Sequence, residues 1–141
     1  MTPGIVETFN GMPVHYIDAP EALEAAAAGW LQRDVVALDT EFMRVRTFHA
    51  QAALFQVCDG DACFLVDPLA VGDLAPLVRL LDARDVLKVM HSCSEDLEVC
   101  DRHLGALPDP LVDTQIVAAF CGYPLSVGYQ KMLAAEFDVQ L

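Results

Sequence analysis

The chain has 141 residues, of which 55% are hydrophobic, and a formal net charge of −13 at pH 7. This length suits a single domain with a sizeable buried core. Only eight residues are lysine or arginine, which argues against a broad surface for gripping long nucleic acids. No apolar run is long enough to span a bilayer, and the N-terminus lacks the pattern of a signal peptide. We therefore expect a cytoplasmic protein with no membrane partner.

Local patterns predict an α/β fold. Residues 35–42 are apolar on both faces, which is typical of a central strand. Asp59-Gly60 favours a tight turn between strands at 51–58 and 62–67, so this pair should form an antiparallel hairpin after the central strand. The other predicted elements are, in chain order, a strand at 14–17, a helix from a cap at Asp18 to about Gln32, a helix at 73–82, a strand at 86–90, a helix at about 95–104 capped by Ser92 or Ser94 and closed by Gly105, a helix that follows 111–114 and ends near Gly122, and a helix from Ser126 to about Phe137. A three-strand meander followed by helix, strand and helix indicates a mixed sheet with helices on its faces.

Three acidic side chains follow two of the predicted strands. Asp39 and Glu41 end the central strand and share one face, because strand side chains alternate. Asp96 begins a helix after the strand at 86–90, which should lie parallel and adjacent to the first. Like charges close together are costly unless a cation neutralises them, and hard divalent ions prefer carboxylate oxygens. The acids therefore predict a hydrolase site that holds two divalent metal ions, Mg²⁺ or Mn²⁺.

These acids also have structural interpretations. An Asp-x-Glu sequence at a strand end is often a solvated cap, and acids at a helix N-terminus complement the macrodipole. For Glu95 we favour the helix terminus. Asp96 lies one position deeper, where its side chain can point back over the sheet.

The thiols and the loop arginines predict no chemistry of their own. The five cysteines contain no CxxC pair, so buried reduced thiols are the favoured interpretation. Cys93 lies inside the acidic motif, but no motif places a base beside it. Arg44 and Arg46, in the loop after the central strand, are too few to form a basic patch.

Five motifs in order closely resemble the ribonuclease D family: LDTEF, TFHAQAALFQV, FLVDPL, VMHSCSEDLEV and LVDTQIVAAFCG. Ribonuclease D is a bacterial 3′→5′ exoribonuclease in the tyrosine branch of the DEDD superfamily, and its fold is ribonuclease H-like. The resemblance covers about residues 35–141. It implies that Asp39 and Glu41 correspond to the first exonuclease motif and Asp96 to the second. It also implies that Asp113 is structural support and not a metal ligand.

The resemblance further implies a mechanism. Two metal ions would clamp the scissile phosphate at an RNA 3′ end and release nucleoside 5′-monophosphates, with tRNA precursors as the expected substrate. Asp39 would bridge both ions, Glu41 would hold the one that activates water, and Asp96 would complete the second site. Weaker candidates for contact with the RNA are Thr40, Phe42 and His91. Phe42 could stack on the terminal base, and packing in the core is an equal alternative for it.

The sequence departs from the family near its end. The third motif of the family is Tyr-x-x-x-Asp on a later helix, which supplies a fourth carboxylate and a tyrosine beside the attacking water. Four residues after Tyr16, Tyr123 and Tyr129 stand Pro20, Val127 and Leu133. We therefore expect residues 1–141 to be a C-terminally truncated part of an exonuclease domain, without the third motif and the helical RNA-binding domains. Such a fragment should have little or no activity and could self-associate through the surface exposed by truncation.

Three other interpretations of these residues compete with the ribonuclease D-like exonuclease. His91 and Asp96 have the spacing of the third motif in the histidine branch, but nothing between Glu41 and His91 resembles a second motif. A DNA-directed proofreading-type exonuclease would use the same carboxylates. A catalytically silent interaction module would suit the high apolar content, but it would have no need to bury three acids.

Overall fold

The computed structural model describes residues 5–9, 11–44 and 49–139. Arg46, and Thr47 and Phe48 of the second family motif, lie outside these residues. The strands are β1 Ile5–Phe9, β2 Met12–Ile17, β3 Val35–Met43, β4 Gln51–Cys58, β5 Cys63–Val66, β6 Leu87–Met90 and β7 Leu111–Asp113. The helices are α1 Pro20–Trp30, α2 Pro68–Val71, α3 Ala75–Asp82, α4 Ser94–Leu104, α5 Thr114–Phe120 and α6 Tyr129–Phe137.

Seven strands in the described ranges form one mixed sheet in the order β1-β2-β5-β4-β3-β6-β7. The antiparallel meander of β3, β4 and β5 is confirmed. β6 lies parallel to both β3 and β7, and β2 lies parallel to β5. The predicted α/β, ribonuclease H-like mixed sheet is therefore confirmed, and β3 is an interior strand.

The hydrophobic core lies on one face of the sheet. Leu23 of α1, Leu80 of α3 and Val99 of α4 pack with Val36 and Val57 of the sheet. β3 accordingly alternates, with its even-numbered residues turned to this core and its odd-numbered residues exposed. The predicted central position of this strand is confirmed, and its odd-numbered face, which carries Asp39, opens into a cleft. No helix in the described residues is long and apolar enough to cross a membrane.

Several element ends differ from the predicted ones. The N-cap of α1 is Ala19 and not Asp18, without a side-chain hydrogen bond, and the helix ends at Trp30. The N-cap of α4 is Cys93 and not Ser92 or Ser94, and Gly105 closes this helix in a left-handed conformation, as predicted. α6 begins at Tyr129, three residues later than expected.

Short elements were not predicted, because three to five residues show too little periodicity. They are β1, β7 and α2, whose cap is Asp67. The hairpin between β4 and β5 is confirmed, but its connection spans residues 59–62. Asp59 Oδ1 accepts hydrogen bonds from the backbone N–H groups of Asp61 and Ala62, so an aspartate side chain organises a turn longer than two residues.

The fully buried Lys88 fixes the beginning of β6. Lys88 has 0% of its surface exposed, and its Nζ donates to the carbonyl oxygens of Ala83 at 2.7 Å and Asp109 at 2.8 Å. Burial lowers the pKa of Lys88, and the charges of Asp109 and Asp82 oppose that change. Lys88 thus joins the end of α3 to the segment that precedes β7.

Candidate active site

Asp39 and Glu41 stand on the open face of β3, as strand alternation predicts. Asp39 is exposed overall, but its carboxylate is partly buried by neighbouring atoms. Partial burial first, and then the negative charges of Asp96 and Glu41, raise the pKa of Asp39, while a backbone hydrogen bond from Thr40 acts in the opposite direction. Gln56 Nε2 on β4 donates to Glu41 Oε1 at 3.3 Å. The three predicted acids therefore lie within electrostatic reach of one another.

Asp96 is anchored to β3 through Thr40. The backbone N–H of Thr40 donates to Asp96 Oδ1 at 3.1 Å, and its hydroxyl donates to the same oxygen at 2.5 Å. Both residues are 7% exposed. Thr40 was a candidate for RNA contact, but it faces the core side of β3. Its observed role is to hold the acid of the second motif beside the first.

Phe42 and Arg44 connect the end of β3 to its surroundings. Phe42 packs against the hydrophobic core, which favours the packing alternative over stacking on a base. The Arg44 guanidinium lies 5.9 Å from the centre of the Phe42 ring and pairs with Glu95 at 3.2 Å and Glu98 at 3.4 Å. Glu95 is in the first turn of α4, as its structural interpretation required.

His91 lines the cleft but uses both ring nitrogens within the chain. Nδ1 lies 2.8 Å from Thr114 Oγ1, and Nε2 lies 3.0 Å from the carbonyl oxygen of Val127. The ring also contacts Tyr129, with 5.4 Å between ring centres. These contacts make His91 an anchor for the segment before α6, and they leave its predicted RNA contact without support.

Asp113 is the N-cap of α5 and also holds the backbone of the turn that precedes α4. Its carboxylate accepts hydrogen bonds from the backbone N–H groups of Ser92 at 2.9 Å, Cys93 at 3.0 Å and Gln115 at 2.8 Å. Burial acts to raise the pKa of Asp113, but these hydrogen bonds outweigh it and lower the pKa. The structure therefore agrees with structural support for Asp113.

Cys93 is buried, and its thiol donates a hydrogen bond to Asp113 Oδ2 at 3.3 Å. Burial, followed by its hydrogen bond to Asp113, raises the pKa of its thiol to about 12. The reactive form of cysteine is the thiolate, which is scarce at neutral pH when the pKa is so high.

Asp39 borders a cleft of about 530 Å³ on the open face of the sheet. Its walls include Asp39 and Gln56 from the sheet, His91 after β6, and Tyr129 and Met132 of α6. The cleft is mainly apolar, with Asp39 at its edge. The position of α6 across this face could not be predicted from local sequence patterns.

The donor chemistry of the acids suits a hard divalent cation. Carboxylate oxygens are the ligands that Mg²⁺ and Mn²⁺ prefer. A cation would offset the burial and the neighbouring negative charges that raise the pKa of Asp39. Within residues 5–9, 11–44 and 49–139, however, no three His, Cys, Asp or Glu side chains are arranged closely enough to hold a metal ion. The predicted metal site thus has donors of the right kind that are not gathered into a complete cluster.

Known proteins share this sequence and fold. The 3′–5′ exonuclease family profile matches residues 14–141. The chain is 45% identical over 128 residues to ribonuclease D of Pseudomonas paraeruginosa, covering 91% of this chain and 34% of that protein. It is 43% identical over 130 residues to ribonuclease D of Escherichia coli, covering 92% of this chain and 35% of that protein.

The solved structure of Escherichia coli RNase D superposes with a TM-score of 0.89 at 42% identity, covering 92% of this chain and 35% of that one. The chain thus spans about a third of the length of the curated relatives it matches. The similarity to ribonuclease D inferred from five motifs is confirmed, and the chain belongs to the 3′–5′ exonuclease family.

Proposed function

We propose that this chain carries the acidic part of a 3′→5′ exoribonuclease active site. The observation that carries the proposal is the docking of Asp96 onto Thr40, which brings the second acidic motif beside Asp39 and Glu41. The similar Escherichia coli protein is described as an exoribonuclease involved in structured RNA processing, which supports RNA as the substrate.

Asp39, Glu41 and Asp96 would hold two divalent ions, Mg²⁺ or Mn²⁺. When bound, such ions neutralise charge on the scissile phosphate and lower the pKa of water. The contribution of the chain is to position the ligands. Thr40 fixes one oxygen of Asp96, and Gln56 restrains Glu41. Partial burial of Asp39 strengthens its attraction to a cation, because electrostatic interactions grow as water is excluded.

The charge of the chain restricts how RNA can bind. With a net charge of −13, affinity for phosphates must be concentrated where cations offset the acids. We propose that a single RNA 3′ end enters the cleft, with tRNA precursors as the expected source, in the cytoplasm. Strong binding of long RNA would need basic surface beyond these residues.

We further propose that residues 1–141 are part of an exonuclease domain and have low activity alone. They contain no Tyr-x-x-x-Asp, so the fourth acid and the tyrosine of the tyrosine branch are not supplied by them. Exposed apolar side chains such as Phe120 and Phe137 should favour self-association, which size-exclusion chromatography at several concentrations would detect.

The test is digestion of a single-stranded RNA that carries a fluorophore at its 5′ end, with the chain in excess and Mn²⁺ present. We expect slow shortening from the 3′ end, release of nucleoside 5′-monophosphates, and loss of both in Asp39→Asn. Asp34→Asn removes the same charge from an exposed position at the other end of the strand and should change nothing. Internal cleavage, or digestion that survives Asp39→Asn, would refute the proposal. A matched DNA oligonucleotide tests the DNA-directed alternative.

A further inference from the structure

Three sulfur atoms meet at one end of the open sheet face. The thiols of Cys58 and Cys63 both point to the thioether of Met12, with Sγ–Sδ distances of 3.6 Å and 3.5 Å. We propose that Met12, Cys58 and Cys63 form a three-sulfur site for Cu(I).

The sheet itself builds this sulfur site. Cys58 ends β4 and Cys63 begins β5, and the two residues are direct partners across the antiparallel pair. Met12 begins β2, two residues before Val14, which pairs with Cys63 in the parallel register. Because side chains two residues apart share a face, all three sulfurs project from the same side of three neighbouring strands. None of the three depends on a loop for its position.

The spacing of the sulfurs suits a three-coordinate metal. With metal–sulfur bonds of about 2.3 Å, the sulfurs of a planar trigonal site are separated by about 4 Å. The two observed Sγ–Sδ separations, 3.5 Å and 3.6 Å, need to widen by only about 0.5 Å on that estimate. Both thiols also line the cleft on this face, so an ion can reach them from solvent.

The donor types select a soft monovalent ion. Thiolate and thioether sulfur favour Cu(I), whereas structural zinc sites take four ligands from cysteine, histidine or carboxylate. Both thiols contact the thioether of Met12, which makes this sulfur the third donor of the cluster. A neutral thioether suits a singly charged soft ion better than Zn²⁺.

The charge balance of binding is simple. Cu(I) replaces the two thiol protons, which pass to solvent, and the three-sulfur complex then carries a net charge of −1. Asp59 lies beside the site, but Arg33 pairs with it at 3.2 Å and offsets its charge.

The experiment is an anaerobic Cu(I) titration of the reduced chain in competition with bicinchoninate, whose Cu(I) complex absorbs visible light. We expect one equivalent of tightly held Cu(I). Cys58→Ser and Cys63→Ser should each abolish this uptake, and Met12→Leu, which keeps the apolar bulk, should weaken it about tenfold or more. Cys121→Ser removes an exposed, distant thiol and is the matched control. Ag(I) stays in one oxidation state under these conditions. Its affinities for the variants, measured by calorimetry, should follow the same order.

Three outcomes would overturn the site. The first is uptake that survives Cys58→Ser or Cys63→Ser. The second is equal affinity in the native chain and in Met12→Leu. The third is a reduced chain that takes no Cu(I) from bicinchoninate but loses two of its thiols in air, which would make the pair a disulfide former and not a metal site. Thermal melts of each variant, compared with the native chain, distinguish lost ligands from lost folding.

Discussion

The hydroxyl of Thr40 donates a 2.5 Å hydrogen bond to the carboxylate of Asp96, which lies 56 positions further along the chain. This bond joins the middle residue of the first acidic motif to the acid of the second. The motif DTE therefore uses all three of its side chains, because its two acids lie on the open face of β3 while the threonine between them holds the third acid. The hydrogen bond also makes the geometry of the acids sensitive to a residue that faces away from the cleft.

Thr40→Val keeps the shape of this side chain and removes its hydroxyl. Asp96 then loses one of two donors at a buried oxygen, so the free energy of unfolding should fall by about 1–3 kcal/mol. Thr40→Ser restores the donor and should recover most of the loss. Urea denaturation measures the stability, and Mn²⁺ titration should show weaker binding in Thr40→Val only. Equal stability of all three proteins would show that the bond contributes little.

Asp39→Asn should stabilise the protein at neutral pH. The pKa of Asp39 is raised in the folded state, so the folded chain holds this proton more tightly than the unfolded chain. The contribution of Asp39 to stability therefore falls as pH rises from the unfolded value of 3.8 through the raised folded pKa. Asparagine removes that dependence. Thermal melts from pH 4 to pH 8 check it, with Asp34→Asn as the control for loss of one exposed charge.

Added Mn²⁺ should make the native chain more stable than Asp39→Asn at neutral pH. An ion that binds only the folded state raises the melting temperature by mass action. We expect such an increase for the native chain and a much smaller one for Asp39→Asn, because the variant lacks a central ligand. An equal increase in both proteins would place the cation elsewhere on the acidic surface.

Asp113→Ala should be among the most destabilising changes near the cleft. It leaves the backbone N–H groups of Ser92, Cys93 and Gln115 without their acceptor, and we expect a loss of about 2–4 kcal/mol. Since the pKa of Asp113 is lowered on folding, its contribution is present above the unfolded value of 3.8 and is lost as pH falls through the folded pKa. Asp101→Ala, at an exposed position of α4, is the comparison in urea denaturation. A loss no larger than that of Asp101→Ala would contradict the capping role.

Lys88→Met should change how stability depends on alkaline pH. Burial lowers the pKa of Lys88 below its ordinary 10.5, so the unfolded chain keeps this proton to higher pH than the folded chain. The contribution of Lys88 therefore rises with pH between the folded pKa and 10.5. The variant should lack this rise, whereas Lys131→Met, at an exposed position of α6, should keep it. Denaturation midpoints measured between pH 8 and pH 10.5 compare the slopes.

Local sequence patterns predicted the elements that carry the acids. Alternation placed Asp39 and Glu41 on one face, and the parallel pairing of β3 with β6 brought Asp96 next to them. What could not be predicted depends on long-range contacts. Three features each need a register that no short segment encodes. They are the binding of the Ser92 backbone by Asp113, the anchoring of His91 by Val127 and the convergence of sulfur from three strands.

The cleft on the second face of β3 could not be predicted, for a related reason. Its apolar residues 35–38 are the same whether a helix covers the second face or a cleft opens there. The residues of one strand indicate that the strand is buried in a core, but they do not indicate whether a helix packs on its second face. The layers that cover a sheet are therefore harder to infer from sequence than the order of its strands.

The pairing of Val35 with Leu87 and of Ala37 with Val89 fixes where each acidic motif begins relative to the other. A single residue inserted or deleted within β3 would turn Asp39 and Glu41 toward the core and Thr40 toward solvent, and a similar change within β6 would withdraw Asp96. The two strands are therefore closed to changes in length, and so is the turn after α3, because Lys88 bonds to the Ala83 carbonyl there. In this domain the spacing between motifs can drift, but the length of the strand that precedes each motif cannot.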